Sequence, residues 1–378
     1  MKIIIAPDSY KGCMRSSDIC KKIESGILQV LPDADIVKMP MADGGEGTVD
    51  AIVLSTGGSF KQLTVSGPLG NPVTATYGIS GDGQKAVIEM AAASGIELLE
   101  SHMLNPLKTS TFGTGELIRT IIAEGIRDIT IGIGGSATVD GGAGMAQALG
   151  YRFLDADGTE LPEKLGGGML DRIAGIDASG VIPELKATRV RIASDVTNPL
   201  LGSNGAARIF GPQKGATSEM VGTLEANLKS FSELIIKSGF AADCSQSGDG
   251  AAGGLGFGLR TLCHAESVSG AGLVIELTGL NEQLADADLL ITGEGCTDSQ
   301  TADGKLCAVI AAAASQAKVP AVLVSGALKG DLSGLDNRFT AMLSTTALPC
   351  NLEAAMQQTP ENLLRQGRNI AALITALQ

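Results

Sequence analysis

Charged residues that could act in catalysis or ligand binding recur in loops of one kind. Each loop follows a strand-like run and consists of small residues and a few charged ones. Five loops share this pattern: APDSYKG (6–12), MADGGEGT (41–48), GIGGSATVDGG (132–142), ASDVTNP (193–199) and TGEGCTDSQTADGK (292–305). Ligands of parallel sheets bind beyond the carboxyl ends of the strands, so we expect these loops to converge on one pocket. The charged side chains that would line it are Asp8, Lys11, Asp43, Glu46, Asp140, Asp195, Glu294, Asp298 and Lys305.

The balance of these charges favours a site for Mg²⁺ and phosphates, because carboxylates outnumber lysines. Mg²⁺ takes one or two carboxylates and completes its shell with waters and phosphate oxygens. Phosphoryl transfer also needs a carboxylate near the acceptor hydroxyl and cations on the transferred group. Asp195 is the strongest candidate for that carboxylate, since it has no helix to cap and only an Asx-turn as its alternative. The carboxylates that could instead cap turns or helices are Asp8, Asp43, Glu46, Asp140 and Asp298.

The third loop lies in a longer segment, 128–150, that reads as a strand, a glycine-rich turn and a helix over 145–149. Glycines leave the backbone amides bare, and a helix N-terminus carries partial positive charge, so this segment is a candidate anion cradle. The candidate ligand-binding residues within it are Gly134, Gly135, Ser136, Thr138 and Asp140.

The same segment offers a different function, because G-x-G-x-x-A at 132–137, with Asp155 after the next strand, outlines a dinucleotide-binding fingerprint. An NAD(P)-dependent oxidoreductase is therefore one alternative, and a non-catalytic small-anion binding protein is another. Gly141 and Gly142 count against the fingerprint, because they fall where its helix should run. The sequence contains neither a P-loop motif nor the protein-kinase signatures.

The amino-acid composition narrows the kind of protein this can be and the partners it can have. The chain has 378 residues, of which 44% are apolar and 18% charged, which predicts two globular domains. A net charge of −13, few aromatics and no Trp argue against nucleic acid and anionic membranes as partners. The 7 cysteines form no CxxC pair, so neither disulfides nor a zinc site is expected. No signal-peptide pattern or long apolar run occurs, and a cytoplasmic location is predicted.

The order of strand and helix patterns predicts a doubly wound parallel sheet that is interrupted by other elements. Strand patterns over 2–6 and 35–39 begin it, and strand patterns over 287–292, 321–325 and 340–343 complete it near the C-terminus. Three strand-like runs between residues 62 and 89 read instead as an antiparallel meander, and a helical pattern follows over 90–98. We therefore predict one α/β domain from residues 1–65 and 284–378, and a second α/β domain inserted at 66–283.

These segments, taken together and in order, closely resemble the glycerate kinases of the bacterial type I family, and the resemblance covers the chain from Met1 to the C-terminal helix. It extends beyond the five loops to SGPLGNPV, EMAAASG, GTGELI, GAARIFGPQKGA and GAAGGLGFGL. The resemblance implies a discontinuous flavodoxin-like domain interrupted by a second α/β domain. It also implies Mg²⁺-dependent transfer of the ATP γ-phosphoryl group to D-glycerate, giving 2-phosphoglycerate in many members and the 3-isomer in others. Cys296 and Asp303 depart from the family pattern, which usually has Arg and His there, and could alter substrate preference.

The resemblance and the loops together assign roles to single residues. Asp195 would accept the proton of the attacking hydroxyl, and Lys11 would neutralise the transferring phosphate or the substrate carboxylate. Mg²⁺ or its waters would be held by Asp8, Glu294 and Asp298. Phosphates or glycerate would be bound by Ser9, Asp43, Gly44, Gly45, Glu46, Gly134, Gly135, Ser136, Thr138, Asp140, Asn198, Arg208, Lys214, Glu294, Ser299 and Lys305. Two domains would allow closure over the substrate, and the oligomeric state is left open.

Overall fold

The structure, a computed structural model, describes residues 1–377, with the backbone alone described at Asp303, so the predicted effect of the Asp303 side chain lies outside the described residues. The α-helices are Ser16–Leu28 (α1), Thr48–Thr56 (α2), Ala91–Ser94 (α3), Phe112–Ala123 (α4), Ala143–Ala148 (α5), Ala206–Phe210 (α6), Ser218–Lys237 (α7), Ala251–Leu262 (α8), Gly270–Thr278 (α9), Leu280–Leu284 (α10), Leu306–Gln316 (α11) and Leu352–Leu377 (α12). The strands are Lys2–Ile5 (β1), Asp35–Lys38 (β2), Ser59–Ser66 (β3), Pro72–Ile79 (β4), Lys85–Glu89 (β5), Asp128–Gly132 (β6), Arg152–Leu154 (β7), Gly175–Asp177 (β8), Arg189–Ala193 (β9), Glu266–Val268 (β10), Leu289–Thr292 (β11), Cys296–Thr297 (β12), Ala321–Ser325 (β13), Ala327–Leu328 (β14) and Ala341–Ser344 (β15). Short 3₁₀ helices lie at Ile96–Leu98, Ser101–Met103, Gly167–Arg172, Pro183–Ala187, Pro212–Lys214, Ser299–Asp303 and Ser333–Leu335.

The chain divides into two compact units, each made of discontinuous segments. The first unit contains Met1–Asp43, Asp50–Gly57 and the chain from Ala271 onward. The second unit contains Gly44–Val49 and Gly58–Gly270. Apart from the short segment Gly44–Val49, the boundaries between the units fall at residues 57–58 and 270–271. The predicted domains met near residues 65 and 284, and the domain assignment stays a prediction.

The first unit is built on a parallel sheet with the order β2-β1-β11-β13-β15. Counted along this unit, that is the 2-1-3-4-5 order of flavodoxin-like folds. The mixed α/β class and the doubly wound sheet predicted from the sequence are confirmed. Most of the stretch between β2 and β11 in the sequence forms the second unit, while Asp50–Gly57 and the residues from Ala271 onward belong to the first.

Both faces of the first sheet are covered, and its central strands β1, β11 and β13 are buried and almost wholly apolar. Ile3 and Ile5 point to the face covered by α1 and α12, where Ile23 lies in the same buried cluster. Ile4 points to the other face and lies in a cluster with Ile310 of α11. Strands buried on both faces read as continuous apolar runs, which is the pattern of parallel sheets.

The second unit is built on a mixed sheet with the order β10-β9-β6-β5-β4-β3. Strands β5, β6, β9 and β10 run parallel, and β3 and β4 add an antiparallel hairpin at the edge beside β5. The predicted meander is thus present, and its third strand, β5, is also the first strand of the parallel part. The carboxyl ends of β5, β6 and β9 consequently share one edge of the sheet.

Two predicted helices in this unit have different limits, for reasons of local backbone geometry. A helix was expected over 90–98, but α3 stops at Ser94 because Gly95 is extended. The helix expected over 145–149 begins earlier, at Ala143, directly after Gly142, which has a left-handed φ of 79°. None of the helices within residues 1–377 is both long and apolar enough to cross a membrane.

Candidate active site

The first unit brings two of the predicted carboxylates together at the centre of its sheet. Asp8 follows β1 and Glu294 follows β11, and these strands are neighbours. The amide of Asp8 donates to the carbonyl of Gly293 at 2.8 Å. The strand order reverses at this point, since β2 lies on one side of β1 and β11 on the other. The carboxyl ends of strands at such a switch point are where open α/β sheets bind ligands.

Asp8 has an unusual environment for a carboxyl group. Its side chain is buried, and the amide of Ser9 donates to its Oδ1 at 2.6 Å. Burial, reinforced by the neighbouring Asp43 carboxylate, raises the pKa of Asp8 to about 7, although Lys11 opposes the shift. Lys11 also pairs with Asp43, Nζ to Oδ2, at 3.2 Å. Asp8 can therefore change its protonation near neutral pH.

Glu294 is held by two hydroxyl groups that the sequence analysis did not single out. Thr297 and Thr301 each donate to its Oε1 at 2.8 Å. Burial raises the pKa of Glu294, and these two hydrogen bonds oppose the shift. The sequence signal was the pair of threonines spaced four apart after the strand, on either side of Asp298.

Asp298 takes the structural alternative that its sequence context allowed. It is the N-cap of the helix Ser299–Asp303 in a capping box with Thr301, and its Oδ1 accepts from the amide of Gln300 at 3.0 Å. Lys305 lies 3.4 Å from the same oxygen, and both Ser299 and Lys305 are exposed. Asp298 thus orders the loop that carries Glu294, and its predicted part in metal binding stays a prediction.

The carboxylates of the first unit fit a magnesium ion that is shared with phosphate. Within residues 1–377, no three Asp, Glu, His or Cys side chains are grouped closely enough to hold a metal by themselves. Burial and the charges of Asp43 and Glu294 nevertheless raise the pKa of Asp8, and Lys11 offsets this only in part, so negative charge is in excess here when Asp8 is ionised. Mg²⁺ bound through one or two carboxylates and substrate phosphates would compensate it.

In the second unit, the loop Gly44–Glu46 lies against the ends of β6 and β9. A Cβ at Gly44 would approach the carbonyl oxygen of Ala193 to 2.8 Å, and one at Gly134 would approach the Cα of Gly45 to 3.3 Å. Glu46 is exposed. The glycines are thus required by close backbone contact between loops.

Glu89 lies at the same sheet edge and was missed. It ends β5, and its Oε1 accepts from the amide of Val49 near the start of α2 at 3.0 Å. The sequence signal was an acidic residue at a strand end, inside the segment EMAAASG. Glu89 therefore fixes the Gly44–Val49 segment over the strand ends.

Asp195 follows β9 and is exposed at the carboxyl end of the sheet. Its Oδ1 accepts from the amide of Gly270 at 3.1 Å, which fixes the side chain while the carboxylate stays open to solvent. Asn198 uses its amide to donate to the carbonyl of Asn204 at 2.9 Å, so it orders its own loop. Arg208 is exposed on α6.

Asp140 and Lys214 lie behind the glycine-rich loop, inside the protein. Asp140 is fully buried and accepts from the amide and hydroxyl of Thr111 at 2.8 and 2.7 Å, and from the amides of Gly142 and Gly144 at 3.2 and 3.3 Å. Burial raises its pKa, and these hydrogen bonds oppose the shift. Asp140 thereby ties the loop to the start of α4.

Lys214 comes from a distant part of the sequence. Its Nζ donates to the hydroxyl of Ser136 at 2.6 Å and to the carbonyl of Thr138 at 2.7 Å, and its side chain is 1% exposed. Burial lowers its pKa to about 7, with the Asp140 carboxylate opposing the shift. The hydroxyl of Thr138 is also buried and has no hydrogen-bond partner among the described residues.

The dinucleotide fingerprint is not supported by the backbone of this segment. A fingerprint helix would start within the motif, but α5 begins at Ala143, well beyond 132–137. The later glycines serve packing: a Cβ at Gly253, where φ is 69°, would meet the carbonyl oxygen of Thr138 at 1.9 Å. The two glycine-rich segments therefore interlock backbone to backbone.

Comparison with known proteins agrees with a kinase site. The profile of the Glycerate kinase family matches residues 3–375. The chain belongs to the glycerate kinase family. A glycerate 2-kinase of Escherichia coli (strain K12) is 45% identical over 99% of this chain and 98% of its own length. A glycerate kinase of Bacillus subtilis (strain 168) is also 45% identical, over 99% and 98% respectively.

A solved structure extends the likeness to the fold. A crystal structure described as a glycerate kinase 2 from Salmonella typhimurium LT2 superposes with a TM-score of 0.90. It is 45% identical and covers 100% of this chain and 98% of its own. This enzyme is thus a glycerate kinase acting on a small molecule, as the resemblance in sequence implied.

Proposed function

We propose that this glycerate kinase uses ATP and Mg²⁺ to phosphorylate D-glycerate on its 2-hydroxyl group. The observation that carries the proposal is the pair Asp8 and Glu294 at the switch point of the first sheet. The raised pKa of Asp8 means that a bound cation would stabilise its ionised form. The similarity to the Escherichia coli glycerate 2-kinase supports the choice of hydroxyl. Membership of a kinase family supports ATP as the donor.

In the proposed reaction, the 2-hydroxyl oxygen of D-glycerate attacks the γ-phosphorus of ATP. The bond from that phosphorus to the β,γ-bridging oxygen breaks, ADP leaves, and the hydroxyl proton passes to the carboxylate of Asp195. Asp195 suits this role because it is exposed at a strand end and held in place by the Gly270 amide. Lys11, which is exposed and anchored beside Asp43, offers positive charge to the transferred group.

Mg²⁺ would be held by Asp8 and Glu294. Asp298 and Lys305 would order the loop that carries Glu294. The ion would neutralise phosphate charge when it is bound. The hydroxyls of Thr297 and Thr301 occupy Oε1 of Glu294 and leave its second oxygen for a ligand. The backbone amides of the Gly44–Glu46 loop and of the exposed Gly134–Gly135 turn would bind anionic oxygens of the substrates.

The test is an ADP-release assay with purified protein, ATP, Mg²⁺ and D-glycerate. We expect release that depends on glycerate, and phosphorus NMR of the product should show the 2-phosphate ester. A 3-phosphate product would contradict the choice of hydroxyl, and no glycerate-dependent release would contradict the function. Parallel assays with tartronate, lactate and erythronate test whether Cys296 and Asp303 change substrate preference.

A further inference from the structure

The turn at Gly134–Gly135 is the exposed part of an otherwise buried loop. Both glycines are exposed, while the adjoining Ser136 is 7% exposed. Two backbone hydrogen bonds to the segment 94–96 hold the turn in place. The carbonyl of Gly135 accepts from the amide of Ile96 at 2.8 Å, and the amide of Ala137 donates to the carbonyl of Ser94 at 2.9 Å. The amides of Gly134 and Gly135 make no hydrogen bond to another described residue. A rigid turn with two available amides is preorganised for an anion.

The hydroxyl of Ser136 has a defined direction. A serine hydroxyl carries one proton and accepts through its oxygen. Here the Ser136 oxygen accepts a hydrogen bond from Lys214 Nζ at 2.6 Å, so Ser136 does not donate its own hydroxyl proton to the lysine. That proton can be donated to a ligand at the turn.

The ammonium group of Lys214 cannot itself reach solvent. Its side chain is 1% exposed, and its two oxygen partners, on Ser136 and Thr138, are uncharged. Among the described residues, the buried Asp140 is the carboxylate whose charge acts on the Lys214 ammonium group. A buried cation with neutral partners is stabilised when an anion binds nearby.

We propose that Lys214 and Ser136 form a relay behind the Gly134–Gly135 turn, and that this turn binds an anionic oxygen of a substrate through its amides and the Ser136 hydroxyl. Lys214 is a positioning residue in this scheme, since it acts through Ser136 and touches no ligand. The ligand chemistry is that of a phosphate or carboxylate group. This inference rests on the proposed function in one respect: it assumes that the bound anion is a phosphate group of ATP or the carboxylate group of glycerate.

Binding at the turn should be coupled to proton uptake. Burial lowers the pKa of Lys214 to about 7, so the side chain is partly neutral at pH 7.5 before a ligand binds. A bound anion raises that pKa, and the protein then takes up part of a proton. Asp140 is the charged group that faces Lys214, and it remains saturated with hydrogen bonds in both states. Below pH 6, where Lys214 is already protonated, the uptake should disappear.

The experiment measures binding without turnover, by calorimetry at pH 7.5 in two buffers of different ionisation enthalpy. The probes are a non-hydrolysable ATP analogue with Mg²⁺, D-glycerate, and inorganic phosphate, each added separately. Lys214→Met and Ser136→Ala should both weaken one substrate by about 10- to 100-fold, as expected for a lost charge-assisted hydrogen bond. Lys214→Met should also lower the proton uptake relative to the parent protein; the two proteins are compared because Mg²⁺ binding at Asp8 would release a proton in both. The exposed Lys229→Met, on α7, is the matched control and should match the parent protein.

The weakened probe identifies the source of the anion as nucleotide phosphate or glycerate carboxylate. Unchanged affinity for all probes in both variants would overturn the relay, as would proton uptake in Lys214→Met equal to that of the parent protein. Equal weakening of both substrates together with a lower melting temperature would also overturn it, because it would show a purely structural role. If Lys214→Met does not fold, Ser136→Ala tests the relay alone. Should the parent protein lack glycerate-dependent ADP release, the proposed function fails, while the phosphate probe still tests the turn.

Discussion

At the scale of the residue, Asp195 is the carboxylate best placed to take the substrate proton. It is exposed at the end of β9 and fixed by a hydrogen bond from Gly270 at 3.1 Å. Replacing it in Asp195→Asn removes the base while keeping the size and the hydrogen-bond acceptor. We expect turnover to fall by a factor of about 10² or more. Steady-state kinetics with a circular dichroism control for folding would check this, and near-parental turnover would contradict the role.

The pKa of Asp8 leads us to expect a pH dependence of activity, with a midpoint set by the charges of Asp43 and Lys11. If Mg²⁺·ATP binding needs the ionised carboxylate, kcat/KM for ATP should fall as the pH drops through about 7, where Asp8 gains its proton. Asp43 raises the pKa of Asp8 and Lys11 lowers it. Asp43→Asn should therefore move the acid limb of the profile to lower pH, and Lys11→Met should move it to higher pH. A profile that moves in the same direction in both variants would exclude Asp8 as the titrating group.

At the scale of the element, close backbone packing between the glycine-rich segments 132–142 and 248–259 fixes the position of the loop 132–142. Gly253 combines a left-handed φ of 69° with a carbonyl oxygen 1.9 Å from where a Cβ would be. Gly253→Ala should thus cost at least about 2 kcal/mol of unfolding free energy, from backbone strain and overpacking. Urea unfolding measures the loss.

The matched control for that substitution lies in α7. Gly222 is exposed in the helix, and a Cβ there would have nothing within 4 Å. Gly222→Ala should leave stability unchanged or raise it by up to about 1 kcal/mol, because alanine favours helix. Equal effects of the two substitutions would show that Gly253 is not constrained as described.

Element positions were predictable where one local pattern dominated. Strand β13, Ala321–Ser325, has the predicted limits, because its apolar run is short and lies between Pro320 and Gly326. The break after Ser94 was not predicted, since a single glycine among alanines gives no signal against a helix. Its extended conformation is needed where Gly95 bridges to Ser136, which is distant in sequence.

At the scale of the whole molecule, the metal is expected to serve catalysis and not folding. Among the described side chains, no three Asp, Glu, His or Cys residues are grouped closely enough to hold a metal ion. Chelation with EDTA should therefore abolish glycerate-dependent ADP release while leaving the melting temperature unchanged, and added Mg²⁺ should restore activity. Unfolding upon chelation would contradict the shared carboxylate–phosphate mode of metal binding. The net charge of −13 makes the few local cations correspondingly important for anionic substrates.

The sequence by itself determined the fold class, the loops at the strand ends and the family. Apolar periodicity and turn residues are local properties, and the long shared segments identify relatives without any knowledge of contacts. Only the tertiary structure decided what the loop residues do. Asp298 caps a helix, and Lys214 reaches Ser136 across 78 positions of the sequence. Such partners are chosen by how the sheet brings distant strand ends together, and burial then sets the protonation of Asp8 and Lys214.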